Sequence, residues 1–354
     1  MDTGPFPQAT LGLFGISGTR LSSASTVVST HPPVLAAPEA VKPSPAAEAA
    51  FAPAPDAAAA EAFTRHLAHH HYENFSVVTR LLPRSLRQDF CNIYAFCRLA
   101  DDLGDEEASS GTAALRHLDR FRDNLRDCYA GRADTAVFLA LRQTVQRHAI
   151  PIDPFLDLID AFEQDQRVTR YDTFGDLLDY CRRSANPVGR LVLYVCGYRD
   201  ERRQRLSDCT CTALQLANFW QDVRRDLRDL GRVYLPRESM DRFSVSEDDL
   251  WRDAAGENVK SLLRFEVDRA GAMFAEGDAL LPLLDGSVRR QVALFGAGGR
   301  AVLQAIRRQG YDTLRRRPVL SPLQKARLAG RVVACQLWGR WGWGTRAGTH
   351  DRHG

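Results

Sequence analysis

Three oxygen-bearing side chains at four-residue spacing mark residues 214–226. Asn218, Asp222 and Asp226 would share one face of an α-helix, because residues four apart in a helix lie one above the other. The other positions of this stretch are mainly apolar, so the helix is predicted to be buried. Carboxylates on a buried helix cost free energy unless a cation neutralises them, and the pattern therefore indicates a bound cation.

A second polar stripe lies earlier in the chain. Tyr94, Arg98, Asp101, Asp102 and Asp105 fall on one face of a predicted helix. One acidic stripe alone is often a solvated helix face, but two stripes on largely apolar helices favour a metal site. Magnesium takes oxygen ligands, usually one or two carboxylates together with substrate phosphates and water. We predict that the two stripes face each other across a cavity and hold divalent cations and a diphosphate.

The composition is that of an ordinary globular chain and excludes few classes of protein. The 354 residues are 44% hydrophobic and 26% charged, with a net charge of +3 that does not indicate nucleic acid as a partner. The sequence contains no run of 18 or more apolar residues, so no membrane-spanning helix is predicted. The eight cysteines are scattered and form no CxxC pair, which favours a reduced, intracellular protein. We therefore expect a cytoplasmic location.

Three regions are predicted along the chain. Residues 1–60 are rich in Ala, Pro, Ser and Thr and nearly free of charge, as expected for a disordered leader or for a start codon assigned too early. They lack the basic segment and compact apolar core of a signal peptide. Residues 61–322 follow a helical period with no strand-like alternation, which predicts one all-α domain. Residues 323–354 form the third region, an amphipathic C-terminal helix and tail.

The apolar period predicts the positions of the helices. They are placed at residues 86–100, 115–129, 135–148, 154–167, 174–181, 207–227, 248–258, 259–284 and 287–316. Asn186 and Pro187 interrupt a further helix with a kink, because proline removes a backbone hydrogen bond. The C-terminal helix is basic and ends in tryptophans, which suits peripheral contact with the inner face of the cytoplasmic membrane. A packed terminal helix is the alternative.

The two stripes and two further motifs resemble the squalene and phytoene synthase family of head-to-head prenyl transferases. The resemblance covers about residues 65–320. The matching segments are Tyr94-Ala-Phe-Cys-Arg98-Leu-Ala-Asp101-Asp102, Gln215-Leu-Ala-Asn218 with Asp222 and Asp226, Gly231-Arg232-Val-Tyr234-Leu-Pro236, and Tyr180-Cys181 before Val188-Gly189. Within the family the chain is most similar to the hydroxysqualene synthase (HpnC) branch of hopanoid biosynthesis. That similarity rests on residues 71–75, 183–189 and 218–222.

The resemblance implies an isoprenoid-synthase-like helical bundle with a central cavity. Asp101 and Asp105 would bind magnesium on one side of a diphosphate, and Asn218, Asp222 and Asp226 would bind it on the other, with two or three ions in total. A diphosphate leaves readily only when its developing charge is offset by metals and guanidinium donors. The carbocation left behind needs a dry cavity with aromatic walls.

The family also implies roles for residues that touch the substrate. Arg98 and Arg232 would contact phosphate oxygens, and Gln215 the carbon skeleton or a water molecule. The other candidates for the substrate-binding site are Phe75, Tyr94, Phe219, Trp220 and Tyr234.

Some family members condense two prenyl diphosphates and then convert the product in a second step. Two departures from those members indicate that this chain carries out only the second step. Residues 71–75 replace a segment rich in Ser and Lys, and Gln221 stands where those members carry an arginine. Both changes remove phosphate-friendly groups, so the site is predicted to hold one diphosphate. The favoured substrate is presqualene diphosphate, handed over by the synthase that makes it. Quenching of the carbocation by water would give hydroxysqualene without NADPH.

Candidates for placing that water come from the kink and its neighbourhood. Backbone carbonyls freed at Asn186 could hold the water, and Tyr180 is a weaker candidate for a water contact or a base. Two alternative functions remain open at this point. One is condensation of two farnesyl diphosphates to presqualene diphosphate or a carotenoid precursor, and the other is a non-catalytic assembly protein on the same fold.

Overall fold

The computed structural model describes residues 44–70, 83–105 and 111–321, and beyond them positions 323, 324, 327 and 330. Its α-helices are α1 (Pro45–Ala50), α2 (Ala57–His70), α3 (Arg87–Gly104), α4 (Gly111–Tyr129), α5 (Ala136–His148), α6 (Asp153–Asp165), α7 (Phe174–Ser184), α8 (Asn186–Val195), α9 (Glu201–Leu230), α10 (Arg237–Arg242), α11 (Glu247–Leu250), α12 (Glu257–Gly277) and α13 (Gly286–Arg308). The part of the chain just defined contains two isolated β-bridges and no strand. The predicted all-α, single-domain fold is confirmed.

The fold begins earlier than the sequence pattern indicates. Ser44 caps α1 by accepting a hydrogen bond from the Ala47 backbone N–H at 3.1 Å. Ala50 of α1 is 1% exposed, and the ring of the next residue, Phe51, lies 4.0 Å from the Arg120 guanidinium. The prediction of a disordered leader is therefore wrong for residues 44–60, because small alanine side chains let α1 pack tightly on the core. Residues 1–43 lie outside the described residues.

Helix α3 is buried on nearly all sides, and this fixes the first acidic stripe. Phe96 at its centre is fully buried. The ring contacts Phe121, Phe138 and Phe155 from three other helices, with centroids 5.1, 6.1 and 4.9 Å away. Such aromatic pairs add to the free energy gained by burial, so α3 cannot shift without disrupting four helices.

Helix α9 is the longest helix described and packs against α8, α12 and α13. Its contact with α8 depends on Gly189, where a Cβ atom would lie 2.4 Å from the Cys211 Sγ and 2.5 Å from the Ser207 Oγ. The helix ends at Gly231, whose φ of 64° is the left-handed cap that glycine adopts without strain. Helices α3 and α9 both pack on α8 but not closely on each other, which leaves space between the two acidic stripes.

Several predicted boundaries need correction. The helix predicted at 248–258 is only the short α11, which begins with a capping box between Ser246 and Asp249 and ends at Leu250. Helix α13 ends at Arg308 rather than 316 because Gly310 has a φ of 65°. The kink predicted near Pro187 is a full break between α7 and α8.

Most of the predicted C-terminal helix at 323–354 lies outside the described residues. Among the helices that the structure describes, none combines the length and the apolar character needed to cross a bilayer.

Candidate active site

The structure buries charged residues of both predicted stripes and leaves Asp102 and Asp105 partly exposed. On α3, Arg98 and Asp101 are 5% and 4% exposed, and on α9, Asp222 and Asp226 are 4% and 8% exposed. Asp105 is the residue that ends α3, with its backbone N–H donating to the Asp101 carbonyl at 3.0 Å. Charges at this depth require compensating groups nearby.

Arg232 connects the two stripes. It follows the end of α9, is 9% exposed, and donates a backbone hydrogen bond to the Asp226 carbonyl at 3.0 Å. Its positive charge acts against the rise in pKa of Asp101, Asp105 and Asp226 alike. A charge that acts on carboxylates of both stripes lies within electrostatic reach of each stripe. Six predicted charged side chains therefore belong to one electrostatically connected region: Arg98, Asp101, Asp105, Asp222, Asp226 and Arg232.

The carboxylates of this cavity lack sufficient positive charge from the protein alone. Burial raises the pKa of Asp101 to about 8 even though Arg98 opposes the rise. Burial, and then the charge of the neighbouring acidic residue in each stripe, raises the pKa of Asp105 and Asp226 well above the usual range. Asp105 also has a buried Oδ2 with no hydrogen-bond partner among the described residues. These are the properties of carboxylates built to meet a cation.

The donor set fits magnesium held jointly with a substrate. Within the described ranges, no three Asp, Glu, His or Cys side chains converge closely enough to hold an ion by themselves. Magnesium, however, commonly takes one or two carboxylates and completes its shell with phosphate oxygens and water. Asp101 and Asp105 on one side, and Asp222 and Asp226 with the half-buried Asn218 on the other, would be the protein ligands.

Two arginines of the site already have carboxylate partners. The Arg98 Nε donates to the Asp102 Oδ2 at 3.0 Å, one turn along α3. Arg317 comes from the segment after α13 and pairs with Asp222 through two contacts, of which the Nη2–Oδ2 distance is 2.9 Å. Arg317 is the last of three consecutive arginines, and the local sequence does not distinguish it from the exposed Arg315 and Arg316.

Aromatic rings form one wall of the cavity. Phe219 and Tyr234 stack with centroids 3.7 Å apart and an angle of 9° between their planes. Tyr180 lies 6.0 Å from Tyr234. The rings of Phe219 and Tyr234 border a narrow crevice together with Asp226 and Arg232. Tyr94 and Trp220 are completely buried on α3 and α9.

An apolar pocket lies further toward the beginning of α9. It lies between α8, α9 and α13 and is lined by residues that include Val188, Gly189, Cys211, Leu214 and Phe295. Gln215, next to Leu214, is fully buried, and neither end of its side-chain amide has a hydrogen-bond partner among the described residues. Buried amides are nearly always bonded, so Gln215 is available to a ligand.

The remaining predicted residues have different outcomes. The Asn186 Oδ1 accepts a hydrogen bond from the Thr212 Oγ1 at 2.9 Å, which uses this side chain to join α8 to α9. The Tyr180 hydroxyl donates to the Asp165 Oδ2 at 3.1 Å. Phe75 lies outside the described residues.

Sequence reasoning missed Asp165, which ends α6. Its carboxylate contacts Tyr180 and lies 3.6 Å from the Arg232 Nη1. A single acidic residue at the end of an amphipathic helix gives no periodic signal, so the only clue was a carboxylate that continues the buried face of α6.

Comparisons with known proteins agree with this geometry. The model of the squalene/phytoene synthase family matches residues 68–324. The crystal structure of squalene synthase HpnC from Alicyclobacillus acidocaldarius is 49% identical, with a TM-score of 0.68, and covers 71% of this chain and 94% of that one. Phytoene synthase from Mycobacterium tuberculosis is 34% identical over 281 residues, which are 75% of this chain and 87% of the relative. Hydroxysqualene synthase from Sinorhizobium fredii is 31% identical over 257 residues, 72% and 86% of the two chains.

The fold and the buried acidic cavity define an all-α enzyme of isoprenoid biosynthesis. The chain belongs to the squalene/phytoene synthase family, and the resemblance predicted from the motifs is confirmed.

Proposed function

We propose that this protein is a hydroxysqualene synthase, which converts presqualene diphosphate and water to hydroxysqualene and diphosphate. The observation that carries the proposal is the position of Arg232 between two buried acidic stripes, beside a wall of aromatic rings. A diphosphate group and a carbocation are the two species that such a cavity would stabilise.

The chain's own residues have distinct tasks in this reaction. Magnesium, when bound by the acidic stripes, would supply the positive charge that stabilises the leaving diphosphate. Arg98 and Arg232 would bind phosphate oxygens through their planar forks of N–H donors. The rings of Phe219, Tyr234 and Tyr180 would present their faces to the carbocation and exclude bulk water.

Gln221 supports rearrangement of one preformed diphosphate over condensation of two. Its side-chain N–H donates to the backbone carbonyl of Pro318, in the segment that follows α13. The amide that stands in place of an arginine therefore uses one of its two N–H donors in packing and supplies no positive charge for a second diphosphate. The high identity to the HpnC structure points the same way, while the phytoene synthase relative keeps condensation as the second candidate.

The test is product analysis with purified enzyme and magnesium. Presqualene diphosphate without NADPH should yield hydroxysqualene and one equivalent of diphosphate. Farnesyl diphosphate alone should yield no C30 product, and accumulation of such a product would favour condensation. Asp226→Asn should abolish turnover, whereas Asp229→Asn is the matched control, since Asp229 lies three residues later on α9 and pairs with Arg225 at 3.8 Å.

The origin of the substrate and the fate of the product complete the proposal. Presqualene diphosphate would come from a separate synthase, and a C30 alcohol has little solubility in water. Release at the inner face of the cytoplasmic membrane, through the C-terminal residues, would suit such a product.

A further inference from the structure

Asp165 is a buried carboxylate that belongs to neither acidic stripe. It ends α6, and its side chain is 8% exposed. Its Oδ2 accepts the hydroxyl hydrogen of Tyr180 at 3.1 Å, and its backbone carbonyl accepts the Nη2 of Arg232 at 2.8 Å. Two residues that we place in the substrate site are thus held by one aspartate, and the carboxylate itself is held in a fixed orientation.

The second oxygen of this carboxylate is unused. The Asp165 Oδ1 is buried and has no hydrogen-bond partner among the described residues, and the same is true of the Tyr171 hydroxyl. Tyr171 lies close by, since its ring centroid is 5.5 Å from that of Tyr180 and the Asp165 charge is, after burial, the strongest influence raising the pKa of Tyr171. Buried polar atoms that lack a protein partner usually bond to an ordered water.

The aromatic wall brings this pair of atoms to the reaction cavity. Tyr171 stacks with Tyr234 at a centroid distance of 5.8 Å, and Tyr234 in turn stacks on Phe219. A phenol hydroxyl projects from the edge of its ring, so a water bound to Asp165 and Tyr171 would lie at the edge of this ring cluster. Asn186, the sequence-based candidate for this task, has its side-chain oxygen occupied by Thr212.

We propose that Asp165 and Tyr171 bind the water that captures the carbocation, and that Asp165 is the base that deprotonates this water. The inference rests on the proposed function. As the water oxygen forms a bond to the cationic carbon, one of its O–H bonds breaks and that proton moves to the Asp165 Oδ1. The products are the neutral alcohol and a protonated Asp165, which returns its proton to the departing diphosphate or to solvent. Tyr180 keeps the carboxylate oriented throughout.

The experiment compares Asp165→Asn and Tyr171→Phe with the wild type on presqualene diphosphate and magnesium. Two quantities are measured separately, the rate of diphosphate release and the ratio of hydroxysqualene to hydrocarbon products. Asp165→Asn preserves the shape of the side chain but cannot accept the proton, so the ratio should fall about 100-fold, near the lower end of what a positioned base contributes. Tyr171→Phe removes one partner of the water and should lower the ratio about 10-fold, a change equivalent to one lost hydrogen bond.

The control is Asp160→Asn, on the same helix, where Asp160 pairs with Arg122 at 2.8 Å and is 44% exposed. It should leave the ratio unchanged. An unchanged ratio of hydroxysqualene to hydrocarbon in both Asp165→Asn and Tyr171→Phe would overturn the proposal. Slower diphosphate release with an unchanged ratio would also overturn it, because it would show that Asp165 acts only through Arg232. Should Asp165→Asn not fold, the Tyr171→Phe ratio decides.

A different failure would concern the proposed function. If the wild type itself releases diphosphate from presqualene diphosphate without forming hydroxysqualene, the proposed function fails and the water site fails with it. A working wild type with insensitive variants refutes the water site alone.

Discussion

Removal of Arg317 should destabilise the ligand-free enzyme by an amount that the burial of Asp222 determines. The Asp222 carboxylate is 4% exposed, and Arg317 contacts both of its oxygens. Loss of one partner of a fully buried ion pair costs about 3–5 kcal/mol. The Arg317 side chain is 35% exposed, so water screens part of the interaction, and for Arg317→Met we expect a loss of about 2 kcal/mol.

The assay is thermal unfolding in the presence of a metal chelator. A loss of about 2 kcal/mol corresponds to a fall in Tm of about 4–8 °C for a domain of this size. Asp222→Asn should cost less, about 1 kcal/mol, because the arginine left behind can reach solvent. The double variant should resemble Asp222→Asn alone, with a coupling energy of about 1–2 kcal/mol between the two residues.

Two results would refute this reasoning. Strict additivity of the two single changes would show that Arg317 does not neutralise Asp222. An equal loss for Arg316→Met, which alters an exposed neighbour in the same run, would show that the effect belongs to the segment as a whole.

Two further predictions concern pH and the N-terminal helix. In metal-free enzyme, folding raises the pKa of Asp101 from 3.8 to about 8, so the folded state binds more protons than the unfolded state between these pH values. The free energy of unfolding should therefore fall as pH rises through that window. Chemical denaturation of the wild type and Asp101→Asn at several pH values tests this, and a dependence of the unfolding free energy on pH that the substitution leaves unaltered would contradict it. Deletion of residues 1–52 removes the buried Ala50 and the partly buried Phe51 and should cost about 2 kcal/mol. Deletion of residues 1–43 should leave Tm unchanged, and equal stability of the two truncated proteins would show that α1 is dispensable.

The spacing of apolar residues was sufficient to locate the helices that carry the stripes. Helices α3 and α9 bury most of their side chains, and their polar residues recur once per turn. The periodicity of the sequence was therefore enough to locate both helices. The prediction failed around α11 because the conformation there depends on contacts with residues far away in the sequence. The backbone N–H of Ala255 donates to the Asp312 Oδ1 at 2.9 Å, and Arg224 pairs with Asp253 at the same distance. Neither contact leaves a pattern in the local sequence.

The same distinction applies to the site. Asp101, Asp222 and Asp226 could be predicted because each belongs to a set of polar residues that recurs at helical spacing within one helix. Asp165 and Arg317 could not, since each reaches the cavity only through packing of segments far apart in the chain. Long-range packing also decided the role of Asn186, whose side chain is bonded to Thr212 instead of a ligand.

The length of α9 has a consequence for how the protein can be altered. Cys211 in the lining of the apolar pocket and Asp226 at the end of the acidic stripe lie on one continuous helix, about 20 Å apart at 1.5 Å per residue. Changes at sites this far apart usually contribute additively to free energy. Substitutions around Cys211 that reshape the pocket for a different hydrocarbon should therefore combine additively with substitutions around Asp226, so these two positions can be optimised in separate libraries and then joined.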